Sequence, residues 1–282
     1  MYEIGISTFK NAVTGEYLAA LAENEIKHIE ISQDNYDDFD FIGVKRLAKE
    51  HGVNIWSLHL PFTPFEILDL SSENRDKRRF SVEKLSELIK RAGDTGIDKF
   101  VVHPSVEPIS DDERGDRLKY SRESLSFLAD AAENFGGIVC SEDLPRTCIG
   151  HSIEEMQFLT AEDDRLRICF DTNHITVQKP EEAIIALGSK IVTLHVSDFD
   201  FVNERHWLPG EGEIDWAKVI AALEEINYGG VWMYEIGFKC PKTILRDRSL
   251  IPSDFKRNSE EILKGLKPTV FSKQKPNLGM WE

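Results

Sequence analysis

Cysteine is scarce and unpatterned in this chain. There are four, Cys140, Cys148, Cys169 and Cys240, with no CxxC spacing and no framework density. That excludes a zinc ribbon and a disulfide scaffold. No apolar run reaches the roughly 20 residues of a membrane span. The N-terminus shows no cleavable signal pattern and runs straight into EIGIS, so a cytoplasmic protein without a membrane partner is expected. No Gly-rich fingerprint follows that first strand-like run, which argues against a Rossmann domain. Positive charge is short as well: Lys+Arg 34 against Asp+Glu 50 gives a net charge of −16. Such a chain repels phosphate backbones at long range, which argues against nucleic acid as a partner. The clearest basic run, Arg75 to Arg79, reads as a solvated helix face.

What the chain does have is alternation. Strand-like runs at 3–8, 28–32, 54–61, 99–104, 137–143, 166–174, 190–198 and 228–236 alternate with helical runs. Local signals mark the helices. Thr14 can cap the first, and Gly52 stands at the C′ position of the second. Ser152 and Glu155 have capping-box spacing before the fifth, and Pro180 and Gly188 bracket the sixth. Eight such units predict an α/β chain with a parallel sheet and right-handed crossovers, closed as a single-domain (β/α)8 TIM barrel over 1–267. The polar stretch 268–282 is set apart as a C-terminal tail.

Six of the strand runs lead into a residue that can bind a metal. They are SLHLP (His59), FVVHP (His103), IVCSED (Glu142), RICFDTNH (Asp171, His174), VTLHVSD (His195) and VWMYEI (Glu235). In a barrel the C-terminal strand ends share one rim, so these side chains converge. Period 2 places Ser57, Val101, Cys140, Cys169, Thr193 and Met233 on the same inward face. The outward set, Leu58, Val102, Phe170, Leu194 and Tyr234, then packs under the helices. Glu142, Asp171, His195 and Glu235 come from consecutive strands. Carboxylates with an imidazole suit one divalent ion, Mn²⁺, Zn²⁺, Co²⁺ or Mg²⁺, and not copper or an iron–sulfur cluster. His174 is a substrate-contacting candidate. His59 and His103 offer a second metal site or contacts to substrate hydroxyls. The long loop after strand seven carries Glu204, Arg205 and His206, and its glycines can turn His206 back toward the pocket. His28, His51 and His151 read as structural or surface residues.

SEDLPRTCIG, DTNH, LHVSD, RHWLPGEGEID and YEIG together resemble the xylose isomerase-like TIM barrel superfamily. That superfamily holds sugar isomerases and epimerases together with the endonuclease IV enzymes. The resemblance covers nearly the whole barrel. It implies that Glu142, Asp171, His195 and Glu235 form the single-metal set of the isomerases, and that His174, Arg205 and His206 contact substrate. The endonuclease IV pattern implies more than one Zn²⁺, with His59 and His103 as further ligands and His174, Glu204 and His206 as a third set. Glu204 there replaces an Asp, which lengthens one ligand arm.

The reaction these residues suggest is proton transfer beside a metal-bound carbonyl, with Glu142 and Glu235 as the acid–base pair. The product is an isomer or epimer of a small carbohydrate, sugar phosphate or polyol. Phe62, Phe65 and Trp207 are placed to cover its apolar face. Two alternatives stay open: a metal-dependent hydrolase or lyase, including an abasic-site nuclease or a dehydratase, and a barrel that binds without turnover. The loops and the tail after Lys267 offer a homodimer contact.

Overall fold

The computed structural model describes residues 2–9, 11–276 and 278–279. Eight barrel strands and eight helices alternate: β1 Ile4–Ser7, α1 Gly15–Glu23, β2 His28–Ser32, α2 Phe41–Glu50, β3 Asn54–His59, α3 Arg75–Gly93, β4 Lys99–Val102, α4 Asp111–Glu133, β5 Ile138–Glu142, α5 Ile153–Thr160, β6 Leu166–Asp171, α6 Pro180–Leu187, β7 Ile191–His195, α7 Trp216–Glu225, β8 Trp232–Tyr234 and α8 Pro252–Leu263. The sheet order is β7-β6-β5-β4-β3-β2-β1-β8, with parallel neighbours. A parallel bridge from Val196 to Tyr234 joins its two ends and closes the barrel. No helix among the described residues is long and apolar enough to cross a membrane.

The local signals explain the boundaries. Thr14 Oγ1 accepts from Tyr17 N at 3.2 Å and starts α1. Gly52 ends α2 at φ +69°, in the left-handed region that favours glycine. The capping box at α5 is only half made. Ser152 Oγ accepts from Glu155 N at 3.4 Å, but the Glu155 carboxylate reaches past the cap to Gly150 N and Arg114. Helix α8 starts at Pro252, which occupies its first turn, and Asp254 accepts from Ile251 N at 2.9 Å.

Two hydrophobic cores follow from the strand period. Leu58, Val102, Phe170, Leu194 and Tyr234 join the large core between sheet and helices, as their outward placement requires. Val101, Cys140 and Cys169 form a separate cluster inside the barrel. That cluster is a floor of small side chains, and the polar rim stands above it.

One feature goes beyond the alternation. Ile244–Arg246, which we label β9, pairs antiparallel with β10, Ser272–Gln274. Part of the stretch set apart as a tail therefore folds back onto the loop after β8. Residues 277 and 280–282 of that stretch lie outside the described residues.

Candidate metal centre

Glu142, Asp171 and His195 are the last residues of β5, β6 and β7, and Glu235 follows β8 directly. Register aligns Asp171 with His195, so the two side chains start side by side. His195 Nδ1 lies 2.8 Å from Glu142 Oε1, 3.4 Å from Glu235 Oε2 and 4.0 Å from Asp171 Oδ2. One donor atom from each of the four falls within 4.8 Å of the others, and all four residues are buried.

Asp171 shows what this cluster fits. Its Oδ1 accepts from Asn173 N at 2.8 Å and Asn173 Nδ2 at 3.0 Å. Its Oδ2 is buried and has no hydrogen-bond partner. A buried acceptor left unpaired costs about 1–3 kcal/mol. Three carboxylates and an imidazole around that oxygen make a hard, mostly oxygen donor set, and a divalent cation would satisfy it.

The other predicted residues gather in two further groups around the same cavity of about 350 Å³. His59 Nε2 and His103 Nε2 approach Glu142 Oε2 at 3.1 and 3.2 Å. His174, Glu204 and His206 form the third group. Backbone carbonyls fix three of these rings. His59 Nδ1 donates to Leu60 O at 2.9 Å, His174 Nδ1 to Asp143 O at 2.8 Å, and His206 Nδ1 to Glu235 O at 3.1 Å. A carbonyl can only accept, so each Nδ1 carries the proton and each Nε2 is left for the cavity side.

His206 is not aimed by the glycines alone. It sits at φ +50° itself, next to Trp207, which pairs with Asp198 through two backbone hydrogen bonds of 2.8 and 3.0 Å. Asp198 ties the loop down by accepting from Phe199 N, Gly210 N, Ile214 N and Trp216 Nε1. Gly212 packs against this carboxylate, where a Cβ would meet Asp198 Oδ1 at 2.3 Å.

Charge is concentrated here. Burial pushes Glu142 up, but His195 and His103 outweigh it and hold the carboxyl well below its ordinary range. Burial pushes Glu235 up, and the Glu142 and Asp171 charges add to the rise. Burial opposes charge on His59, His174 and His206. Facing carboxylates still raise the first two to about 9 and the third to about 10. Burial pulls His103 down.

Two expectations need correction. Arg205 does not line the cavity; its guanidinium binds Asp200 at 2.9 Å and Gly279 O at 2.9 Å. Trp207 is fully buried, with Nε1 on Thr243 Oγ1 at 2.8 Å, and covers nothing in the cavity. Phe62 and Phe65 do line it, with Phe9 opposite His206. Sequence reasoning missed Arg146, whose guanidinium lines the cavity and binds Glu107, Asn203 and Glu204. It also passed over Glu30 on β2, which faces His195 inside the barrel. The available signal was an acid flanked by isoleucines in a buried strand.

A family model for the xylose isomerase-like TIM barrel matches residues 18–250. An uncharacterised protein of Methanocaldococcus jannaschii is 29% identical over 177 residues, 60% of either chain, so the match spans less than two thirds of that relative. The D-psicose 3-epimerase of Agrobacterium fabrum is 25% identical over 255 residues, 84% of each chain. A probable endonuclease 4 of Acholeplasma laidlawii is 27% identical over 136 residues, 46% of this chain and 44% of that one. Among solved structures, a D-tagatose 3-epimerase-like protein shares the fold at a TM-score of 0.76 and 24% identity, covering 93% of this chain and 96% of its own.

Proposed function

We propose that this chain, which belongs to the xylose isomerase-like TIM barrel family, is a divalent-metal-dependent epimerase or isomerase of ketose-type sugars. The observation behind this reading is the buried convergence of Glu142, Asp171, His195 and Glu235 on the unpaired Asp171 Oδ2, beneath a cavity sized for a monosaccharide. Likeness to a D-psicose 3-epimerase over 84% of each chain supports the substrate class.

A divalent ion held by these four residues would act as a Lewis acid on a sugar carbonyl and make the neighbouring C–H acidic. Glu142 then takes that proton at Oε2, the oxygen facing His59 and His103. Glu235, whose raised pKa suits a proton donor, returns one from its Oε1 to the other face of the same carbon. Abstraction on one face and return on the other inverts the centre. His174 and His206 present Nε2 to sugar hydroxyls. Phe9, Phe62 and Phe65 cover the apolar face and exclude water.

A second reading, a hydrolase with three cations, has its own support. The nine ligand-type residues sort into three groups, two of which share Glu142. Against it stands Arg146, which binds Glu204 Oε2 at 2.7 Å and already neutralises the carboxylate of the third group. A guanidinium beside that ligand repels a dication by several kcal/mol even at an effective dielectric of about 20.

Incubating the Mn²⁺-loaded protein with ketohexoses and ketopentoses in D₂O tests the assignment. Solvent deuterium is expected on the carbon beside the carbonyl. Absence of exchange with every sugar, together with nicking of an abasic-site duplex, moves the chain to the second reading.

A further inference from the structure

Of the four clustered residues, only His195 turns its Nδ1 toward the cluster, and its other nitrogen is held by a side chain. His195 Nε2 lies 3.0 and 3.1 Å from the two oxygens of Glu30, on the opposite side of the barrel interior. Glu30 is fully buried, and Ser57 Oγ donates to its Oε2 at 2.8 Å. These contacts join β2, β3 and β7 across the barrel. A carboxylate held this way is an acceptor, so the shared proton belongs on Nε2. Nδ1 faces the point where Glu142 Oε1, Glu235 Oε2 and Asp171 Oδ2 meet, and when a cation takes the place of the Nδ1–Glu142 hydrogen bond of 2.8 Å its lone pair is directed at that point.

We infer that Glu30 is a positioning residue for the metal centre: with Ser57 it sets the tautomer and the ring angle of His195, so that Nδ1 can ligate. The inference rests on the metal-centre reading given above. It adds a requirement that the four ligands alone do not state. Without Glu30 the ring can carry its proton on Nδ1, and that proton would sit among the carboxylates and exclude a cation. Partners of this kind to a ligating histidine typically change metal affinity 10–100-fold.

The test measures metal rather than turnover. Metal-stripped wild type, Glu30→Gln and Ser57→Ala are titrated with Co²⁺, reading affinity by calorimetry and geometry by the visible d–d spectrum. The expected result is one tight site in the wild type. Glu30→Gln should bind at least about 10-fold more weakly with an altered spectrum, and the metal-free melting temperature should hold. Ser57→Ala should fall between them. Wild-type affinity and spectrum in Glu30→Gln overturn the inference and leave the metal-centre reading intact. Absence of Co²⁺ binding in the wild type itself overturns both. Should Glu30→Gln not fold, Ser57→Ala decides, and an affinity within about twofold of wild type then counts against the role of Glu30, well short of the typical effect.

Discussion

Arg146→Met is expected to create a cation site that the wild type lacks. The Arg146 guanidinium sits 2.7 Å from Glu204 Oε2, and Glu204 is the only carboxylate in the group with His174 and His206. A cation bonded to Glu204 at about 2.1 Å would lie roughly 6 Å from that positive charge. The repulsion between a dication and a monocation at that distance is about 5 kcal/mol at an effective dielectric of about 20. Arg146 is 17% exposed at the rim, so solvent and salt reduce this to about 3 kcal/mol. That corresponds to roughly a hundredfold in affinity. The assay is metal content after saturation with Zn²⁺ and desalting, with calorimetry to resolve the added site. Arg146→Met should take up one more ion per chain than the wild type, whereas Arg146→Lys, which keeps the charge, should not. If the wild type already fills the third group and Arg146→Met changes nothing, the charge argument fails and the three-cation reading gains.

Other outcomes are equally concrete. Glu142→Gln and Glu235→Gln should each lower solvent deuterium exchange into a ketose by at least about 100-fold, as loss of a general acid–base group does; retained exchange in both removes the proton-transfer assignment. Phe170→Ala should cost about 3–5 kcal/mol of unfolding free energy by denaturant titration, because Phe170 is fully buried between sheet and helices. Glu155 gives a pH test: burial pushes its carboxyl up, but His151 and Arg114 outweigh this and hold it at about 2, below the ordinary 4.5. A depressed carboxylate stabilises the fold above its unfolded pKa and loses that contribution as pH falls toward its folded value. Wild type should therefore lose about 2 kcal/mol more than Glu155→Gln between pH 6 and pH 3, read by denaturant midpoints; parallel losses would refute the pairing.

How much was legible in the sequence differs from one part of the molecule to another. Glu142, Asp171 and His195 could be read because strand period and strand end place them together, and a barrel brings every strand end to one rim. Glu235 followed for the same reason, one residue past a strand of three. Glu30 escaped because it lies inside β2 and not beyond it, where an acid looks like a gap in an apolar run. Loops carry no period, and there the expectation fell on Arg205 and passed over Arg146. Arg205 and Arg146 both sit in loops with suitable neighbours. Only tertiary contacts show that Asp200 and the C-terminal chain hold the first while the second faces the cavity. Strands β9 and β10 are three residues each, too short for any alternation to register. The half-made box at α5 failed for a comparable reason. Spacing allowed Glu155 to reach back, but Arg114, from a helix 41 residues away in sequence, drew its carboxylate elsewhere.

Three imidazoles at the rim are locked by main-chain oxygens, and main-chain oxygens do not mutate. Neighbouring side chains around His59, His174 and His206 can therefore drift over evolutionary time without turning a ring. His195 has no such insurance. A side chain, Glu30, holds its Nε2, so a substitution at that interior position of β2 reaches the centre while the other three rings stay in place.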